Sequence, residues 1–266
     1  MTNSGERRAA LVTGSGRGIG LGIARALAAE GYGVALADLD GDSSRSEAEA
    51  LRREGRDAIG LTLDVADAAA WEAAVAEVVK HFGGLDVLVN NAGISPRSTL
   101  ESTDEALWER TLATNLKGPW LGTKAAWQAL RSRKGTVINI GSTHATLPMK
   151  GLFAYCVSKA GLLGLTRQVA VEGLDEVTCN MVAPGWVASP GERAIQATEG
   201  RPDFPAGIRN MSSAEDVGAA VVYLAGPAAR RITGDVLHLD GGLHAIGDVA
   251  LIHHPRPGSD VEDRSS

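Results

Sequence analysis

The sequence predicts an α/β fold, a parallel sheet covered by helices on both faces, and three observations carry that prediction. Seven short runs rich in Leu or β-branched residues alternate almost without exception with Ala-rich and Leu-rich stretches of helical period. At 266 residues and 44% hydrophobic content, the chain can bury a sizeable core. No internal repeat, low-complexity linker or mid-chain charge block marks a boundary. One domain is therefore expected over residues 1–266, with its core from about residue 9 to 245 and an irregular tail from about Ile252.

The first strand is expected at Ala9 to Thr13, closed by Gly14, and the first helix at Ile19 to Glu30. A strand at Val34 to Asp38 leads to a helix at Ser43 to Glu54, and one at Ile59 to Asp64 leads to a helix at Ala68 to Phe82. Leu85 to Asn90 is the fourth strand, and a long helical pattern follows from Thr103 to Leu130. Ser102, three residues before Glu105, has capping-box spacing for its start. Strands at Thr136 to Ile140 and Val177 to Val182 flank a helix at Tyr155 to Gly173. A final helix at Ala214 to Leu224, with Ser212 and Glu215 as its capping box, precedes the last strand at Val236 to Leu239. Residues Pro190 to Met211 are rich in Gly and Pro, and a long irregular stretch inside a compact domain is usually functional, so they are expected to cover a substrate site.

Composition removes several classes of function. Aromatics are 4% of the chain, too few for a nucleic-acid stacking platform. Lys and Arg number 26 against 32 Asp and Glu, and a net charge of −6 offers no footprint for phosphate backbones or anionic lipid. No apolar run reaches 18 residues, and the N-terminus shows no secretory pattern. Cys156 and Cys179 form neither a disulfide framework nor a zinc motif, and His253 with His254 lacks accompanying ligands, so no metal is expected. A cytoplasmic protein with a small-molecule partner is the expectation, without nucleic acid or membrane.

The turn after the first strand is Thr13-Gly14-Ser15-Gly16-Arg17-Gly18-Ile19-Gly20. A helix N-terminus presents free N–H groups and the positive end of its dipole, and Gly lets a ligand approach the backbone, so this turn suits a dinucleotide pyrophosphate. The strict G-x-G-x-x-G pattern is not met; Gly14, Gly18 and Gly20 form a variant with a wider first gap. Asp38, 18 residues beyond Gly20, stands where an acid accepts from the adenine-ribose hydroxyls. A carboxylate there repels a 2′-phosphate, which favours NAD, while Arg17 in the turn could attract that phosphate. Asp64 ends the third strand, where its side chain can meet the adenine edge.

Tyr155 and Lys159 lie one helical turn apart, and a nearby ammonium lowers a phenol pKa toward a range useful for proton transfer. Such a pair on its own is common on exposed helices. Here it stands in a series: Thr13-Gly14-x-x-x-Gly18-x-Gly20, Asn90-Asn91-Ala92-Gly93, Asn115, Gly141-Ser142, Tyr155-x-x-x-Lys159, Pro184-Gly185 and Asp240-Gly241-Gly242. In order and spacing this series resembles the classical short-chain dehydrogenase/reductase family, over residues 9 to about 245.

The resemblance implies a Rossmann-type doubly wound domain with a seven-stranded parallel sheet, hydride transfer with a nicotinamide cofactor, and a homotetramer or homodimer. It implies Tyr155 as general acid/base and Ser142, thirteen residues earlier, as the hydroxyl that orients the substrate oxygen. Lys159 would stabilise the tyrosinate and bind the nicotinamide ribose, and Asn115 would hold a proton-relay water. Asn91, Ala92 and Gly93 would lie along the cofactor, with Asn90 bracing the sheet. Ile19, Leu39 and Val65 would join Arg17, Asp38 and Asp64 in the cofactor set, and Pro184, Gly185, Val187 and Ser189 would flank the nicotinamide. His144 and Trp186 would line the substrate pocket. A small polar secondary alcohol, a sugar or polyol, is expected from the hydroxyls and imidazole of Ser142, Thr143 and His144, with NAD as cofactor. An NADPH-dependent 3-oxoacyl-thioester reductase and a non-catalytic dinucleotide-binding regulator are the alternatives.

Overall fold

The computed structural model describes residues 8–187 and 211–245. Its strands are β1 (Ala9–Thr13), β2 (Gly33–Asp38), β3 (Ala58–Thr62), β4 (Val87–Asn90), β5 (Thr136–Ile140), β6 (Thr178–Pro184) and β7 (Val236–Leu239). Its helices are α1 (Gly18–Ala29), α2 (Gly41–Arg53), α3 (Ala68–Phe82), α4 (Glu105–Leu112), α5 (Gly118–Arg133), α6 (Phe153–Glu172) and α7 (Ala214–Ala225). All seven strands run parallel in one sheet of order β3-β2-β1-β4-β5-β6-β7. This is the doubly wound, Rossmann-type arrangement, and the order reverses between β1 and β4, where such sheets open a crevice at the strands' carboxyl ends.

A strand sends alternate side chains to opposite faces, so a sheet covered on both sides needs strands apolar on both. Every residue of β1 is buried. Ala10 and Val12 face the layer of α1 and α7, with Ile23, Leu27 and Val217; Leu11 faces the layer of α3 and α5, with Trp71, Val78 and Leu130. Small residues let the helices meet closely. A Cβ on Gly218 would lie 2.8 Å from the Ala26 Cβ, and one on Gly122 would overlap the Trp71 ring. Trp71 is itself fully buried, and its indole N–H donates to the Val65 carbonyl at 3.0 Å.

Several boundaries differ from the sequence expectation. The stretch from Thr103 to Leu130 is two helices joined by a π-helical turn at Ala113–Lys117, and the second runs on to Arg133. Asp104 rather than Ser102 caps α4, its carboxylate accepting from Leu107 N at 2.7 Å, while the Ser102 hydroxyl accepts from Thr99 N. At α7 the capping box is Ser213 with Asp216, because Ser212 donates its hydroxyl to the Leu239 carbonyl. The third strand ends at Thr62, so Asp64 stands in the turn beyond it, and β6 continues through Pro184, which pairs with Leu239. Most of the expected cover, Pro190 to Met211, lies outside the described residues.

Candidate active site

The carboxyl ends of β1, β2 and β4 border a groove of about 640 Å³ lined by Gly14, Arg17, Gly18, Ile19, Gly20, Asp38, Leu39, Asp64, Val65, Asn91, Ala92 and Gly93. Gly14 and Gly18 have φ of 62° and 59°, a left-handed conformation that favours glycine. A Cβ on Gly20 would overlap the Gly14 carbonyl oxygen, so any larger residue would push the turn outward. Helix α1 starts at Gly18 with no side-chain cap on its first turn, the polarity that suits an anion. The glycine cradle and the carboxylate beyond it together fit a dinucleotide.

Polar bonds fix the shape of this groove. The Thr13 hydroxyl accepts from both Asn91 N and Ala92 N at 3.0 Å and donates to the Val89 carbonyl, tying β1 to the end of β4. The Asn91 side-chain amide donates to the Thr13 and Gly14 carbonyls at 2.8 and 3.1 Å. That amide therefore shapes the glycine turn, a task the sequence reading did not assign to it. Asp38 likewise serves the turn, one oxygen accepting from Gly16 N at 2.9 Å and the other from Asp40 N at 3.1 Å. Asp64 accepts from Ala66 N at 2.9 Å. Asn90 donates to the Asn139 side chain on β5 at 2.8 Å, a cross-strand brace.

The π-helical turn between α4 and α5 carries Asn115, which is fully buried. Its side-chain oxygen accepts from Ile94 N at 2.8 Å, while its amide donates to the Ile94 carbonyl at 2.8 Å and to the Ser158 hydroxyl at 3.0 Å. Ser158 in turn donates to the Tyr155 carbonyl at 2.7 Å. A chain of bonds thus runs from the loop after β4 to the helix bearing Tyr155. Ile94 and Ser158 were not singled out in the sequence, because only the fold brings together partners 21 and 43 residues from Asn115.

Lys159 is buried, and its ammonium donates to the Ile140 carbonyl at 2.8 Å, with Nζ 5.7 Å from the Tyr155 ring centroid. Burial favours the neutral amine and lowers its pKa to about 8. A pocket of about 170 Å³ adjoins, lined among others by Ser142, His144, Tyr155, Pro184, Gly185, Trp186 and Val187. Arg97 and Ser95, which sequence reasoning missed, also line it. The Ser142 hydroxyl accepts from His144 N at 3.1 Å. His144 places Nδ1 2.8 Å from the Leu147 carbonyl; a carbonyl only accepts, so Nδ1 carries the proton. Ser189 lies outside the described residues.

Thr143 turns away from this pocket. It is buried, and its hydroxyl donates to Asp240 at 2.9 Å. One of the three groups from which a sugar or polyol was expected is thereby held by the protein. What remains is a phenol and a hydroxyl facing a common space with a buried cation beside the phenol, a set able to move one proton to or from a substrate oxygen.

The family model described as enoyl-(acyl carrier protein) reductase matches residues 14–244. The 3-oxoacyl-(acyl-carrier-protein) reductase of Vibrio cholerae serotype O1 is 36% identical over 72% of this chain and 80% of its own length. A trans-4-hydroxycyclohexanecarboxylate dehydrogenase of Sinomonas cyclohexanicum is 38% identical over 71% of this chain and 72% of its own. Among solved structures, a variant actinorhodin polyketide ketoreductase with NADPH superposes with a TM-score of 0.83 at 33% identity, covering 90% of this chain and 98% of that one.

Proposed function

The chain belongs to the classical short-chain dehydrogenase/reductase family, and from that premise we propose that it interconverts a secondary alcohol and a carbonyl, with Tyr155 as general acid/base. The observation that carries this reading is the meeting of Tyr155 and Ser142 in one pocket with Lys159 buried behind the phenol. A nicotinamide dinucleotide, when bound, supplies or takes up the hydride. Gly14, Gly18, Gly20 and Asp38 would hold its adenosine and pyrophosphate part, and Lys159 its nicotinamide ribose.

In the reducing direction Ser142 donates to the carbonyl oxygen, and Tyr155 gives that oxygen its proton as charge develops there. In the oxidising direction Tyr155 removes the hydroxyl proton. The Lys159 ammonium favours the tyrosinate in both. Asn115 holds the Ile94 segment and Ser158 in place, and we assign it the proton relay behind Lys159. The exposed Trp120 on α5, beside a groove of about 510 Å³ that Trp108, Leu112, Leu116 and Leu165 also line, supports a homodimer or homotetramer.

The relatives favour an oxo or hydroxy substrate of the 3-oxoacyl type over a sugar or polyol, and the turning of Thr143 to Asp240 points the same way. For the cofactor, Asp38 supports NAD; Arg17 and the NADPH-bearing ketoreductase support NADP as the second reading. Initial rates across 3-oxoacyl thioesters, cyclic ketones, hydroxy acids and polyols, each with NAD(H) and NADP(H), test both choices. Ketone reduction above polyol oxidation is expected. Turnover confined to polyols would reverse the substrate assignment, and a tenfold or greater preference for NADP, about 1.4 kcal/mol, would reverse the cofactor.

A further inference from the structure

At the carboxyl end of β7 three side chains with metal-ligating atoms converge outside the groove and the pocket. His238, Asp240 and His244 each offer one donor atom, and the three lie within 4.8 Å of one another. His244 Nδ1 is 2.9 Å from one Asp240 oxygen, and His238 Nδ1 is 3.8 Å from the other. Donors on one tetrahedral zinc stand about 3.4 Å apart, given bonds of about 2.0 to 2.2 Å, so small side-chain rotations bring these three to that spacing. The two imidazole rings stack at 3.8 Å, only 13° from parallel, which holds both beside the carboxylate.

The carboxylate is held in place, and one further observation points to a ligand. The Asp240 side chain is 1% exposed, and besides His244 Nδ1 it accepts from Thr143, Gly242 N and His244 N, so its orientation is fixed. His238 Nδ1 is buried with no hydrogen-bond partner among the described residues, and an orphaned buried polar atom is costly unless something fills the place.

We propose that His238, Asp240 and His244 bind one divalent transition-metal ion of the zinc type, with water completing the coordination. Two imidazoles and one carboxylate suit zinc, nickel or cobalt better than magnesium or calcium. The ion replaces the proton between His244 and Asp240 and gives His238 Nδ1 the partner it lacks. Because Asp240 also holds Thr143, next to Ser142, the ion would fasten the end of β7 to the loop that carries the pocket hydroxyl.

Calorimetric titration of the metal-free, untagged full-length chain with Zn²⁺ at pH 7.5, repeated with Co²⁺ while recording its visible spectrum, tests the site without using activity. One ion per chain is expected, with affinity lowered about tenfold or more in both His238→Gln and His244→Gln. The His253→Gln/His254→Gln chain should bind as the parent does. A dissociation constant weaker than about 1 mM, unchanged affinity in the His238→Gln/His244→Gln chain, or loss of binding in the tail variant would overturn the proposal.

Discussion

The two ends of the sheet use the same residue types for opposite purposes. At the amino ends, Asp86 accepts from Ala9 N at 2.8 Å, and Arg8 donates to the Tyr32 hydroxyl at 2.8 Å while its guanidinium lies 4.1 Å over that ring. Burial raises the Asp86 carboxyl pKa against the opposing pull of Arg133, Arg8 and Arg230. The cleft these residues border has room for only about 20 Å³. At the carboxyl ends, Asp38 and Asp64 satisfy local backbone N–H groups and also line a groove of about 640 Å³. A polar residue at a strand end therefore says little until one knows which end it occupies, since in parallel sheets ligands bind at the carboxyl ends.

The largest expected effect tests whether the carboxyl end is where the chemistry occurs. Tyr155→Phe should lower kcat by at least about 10²-fold, the scale of a lost general acid/base, while fluorescence titration still shows cofactor binding. Retention of more than a few per cent of turnover would move the proton transfer to another group.

Lys159 supplies a pH test of the same end. Its folded-state pKa of about 8 lies below the ordinary value of 10.5, so between these values the unfolded chain binds the extra proton and folding becomes more favourable as pH rises. The full shift corresponds to about 3 kcal/mol. Denaturation of the cofactor-free protein at pH 7.5 and pH 10 should show that gain relative to Lys159→Met; parallel behaviour of the two chains would mean that the lysine is not desolvated.

A third comparison sets one end directly against the other. Asp86→Ala leaves Ala9 N–H without its acceptor and should destabilise the fold by about 1 to 3 kcal/mol in urea, with KM for cofactor unchanged. Asp38→Ala should reverse that pattern, with a smaller stability change and a discrimination between NAD and NADP relaxed by about tenfold. If both variants shifted stability and left KM alone, the distinction between the ends would fail.

The sheet was legible because parallel strands buried on both faces read as short apolar runs, and the structure places the strands within about two residues of those runs. The Gly14, Gly18, Gly20 cradle was equally legible, since left-handed φ and close backbone approach leave little choice but glycine. The π-helical turn was hidden because Ala113–Lys117 continues the helical pattern without a Pro or Gly of its own. Side-chain direction was hidden as well. Thr143 looked like a pocket hydroxyl until the fold brought Asp240, 97 residues later, within 2.9 Å. Asn91 and Asn115 were assigned by resemblance to cofactor and water, but their side-chain bonds to Thr13, Gly14, Ile94 and Ser158 depend on crossings that no local pattern encodes.

Asn115 has one more consequence. Its side-chain amide meets both backbone groups of Ile94, as a neighbouring strand would, although residues 91–94 belong to no helix or strand. In solvent-exchange experiments the Ile94 amide should therefore lose its proton more slowly than it does in Asn115→Ala.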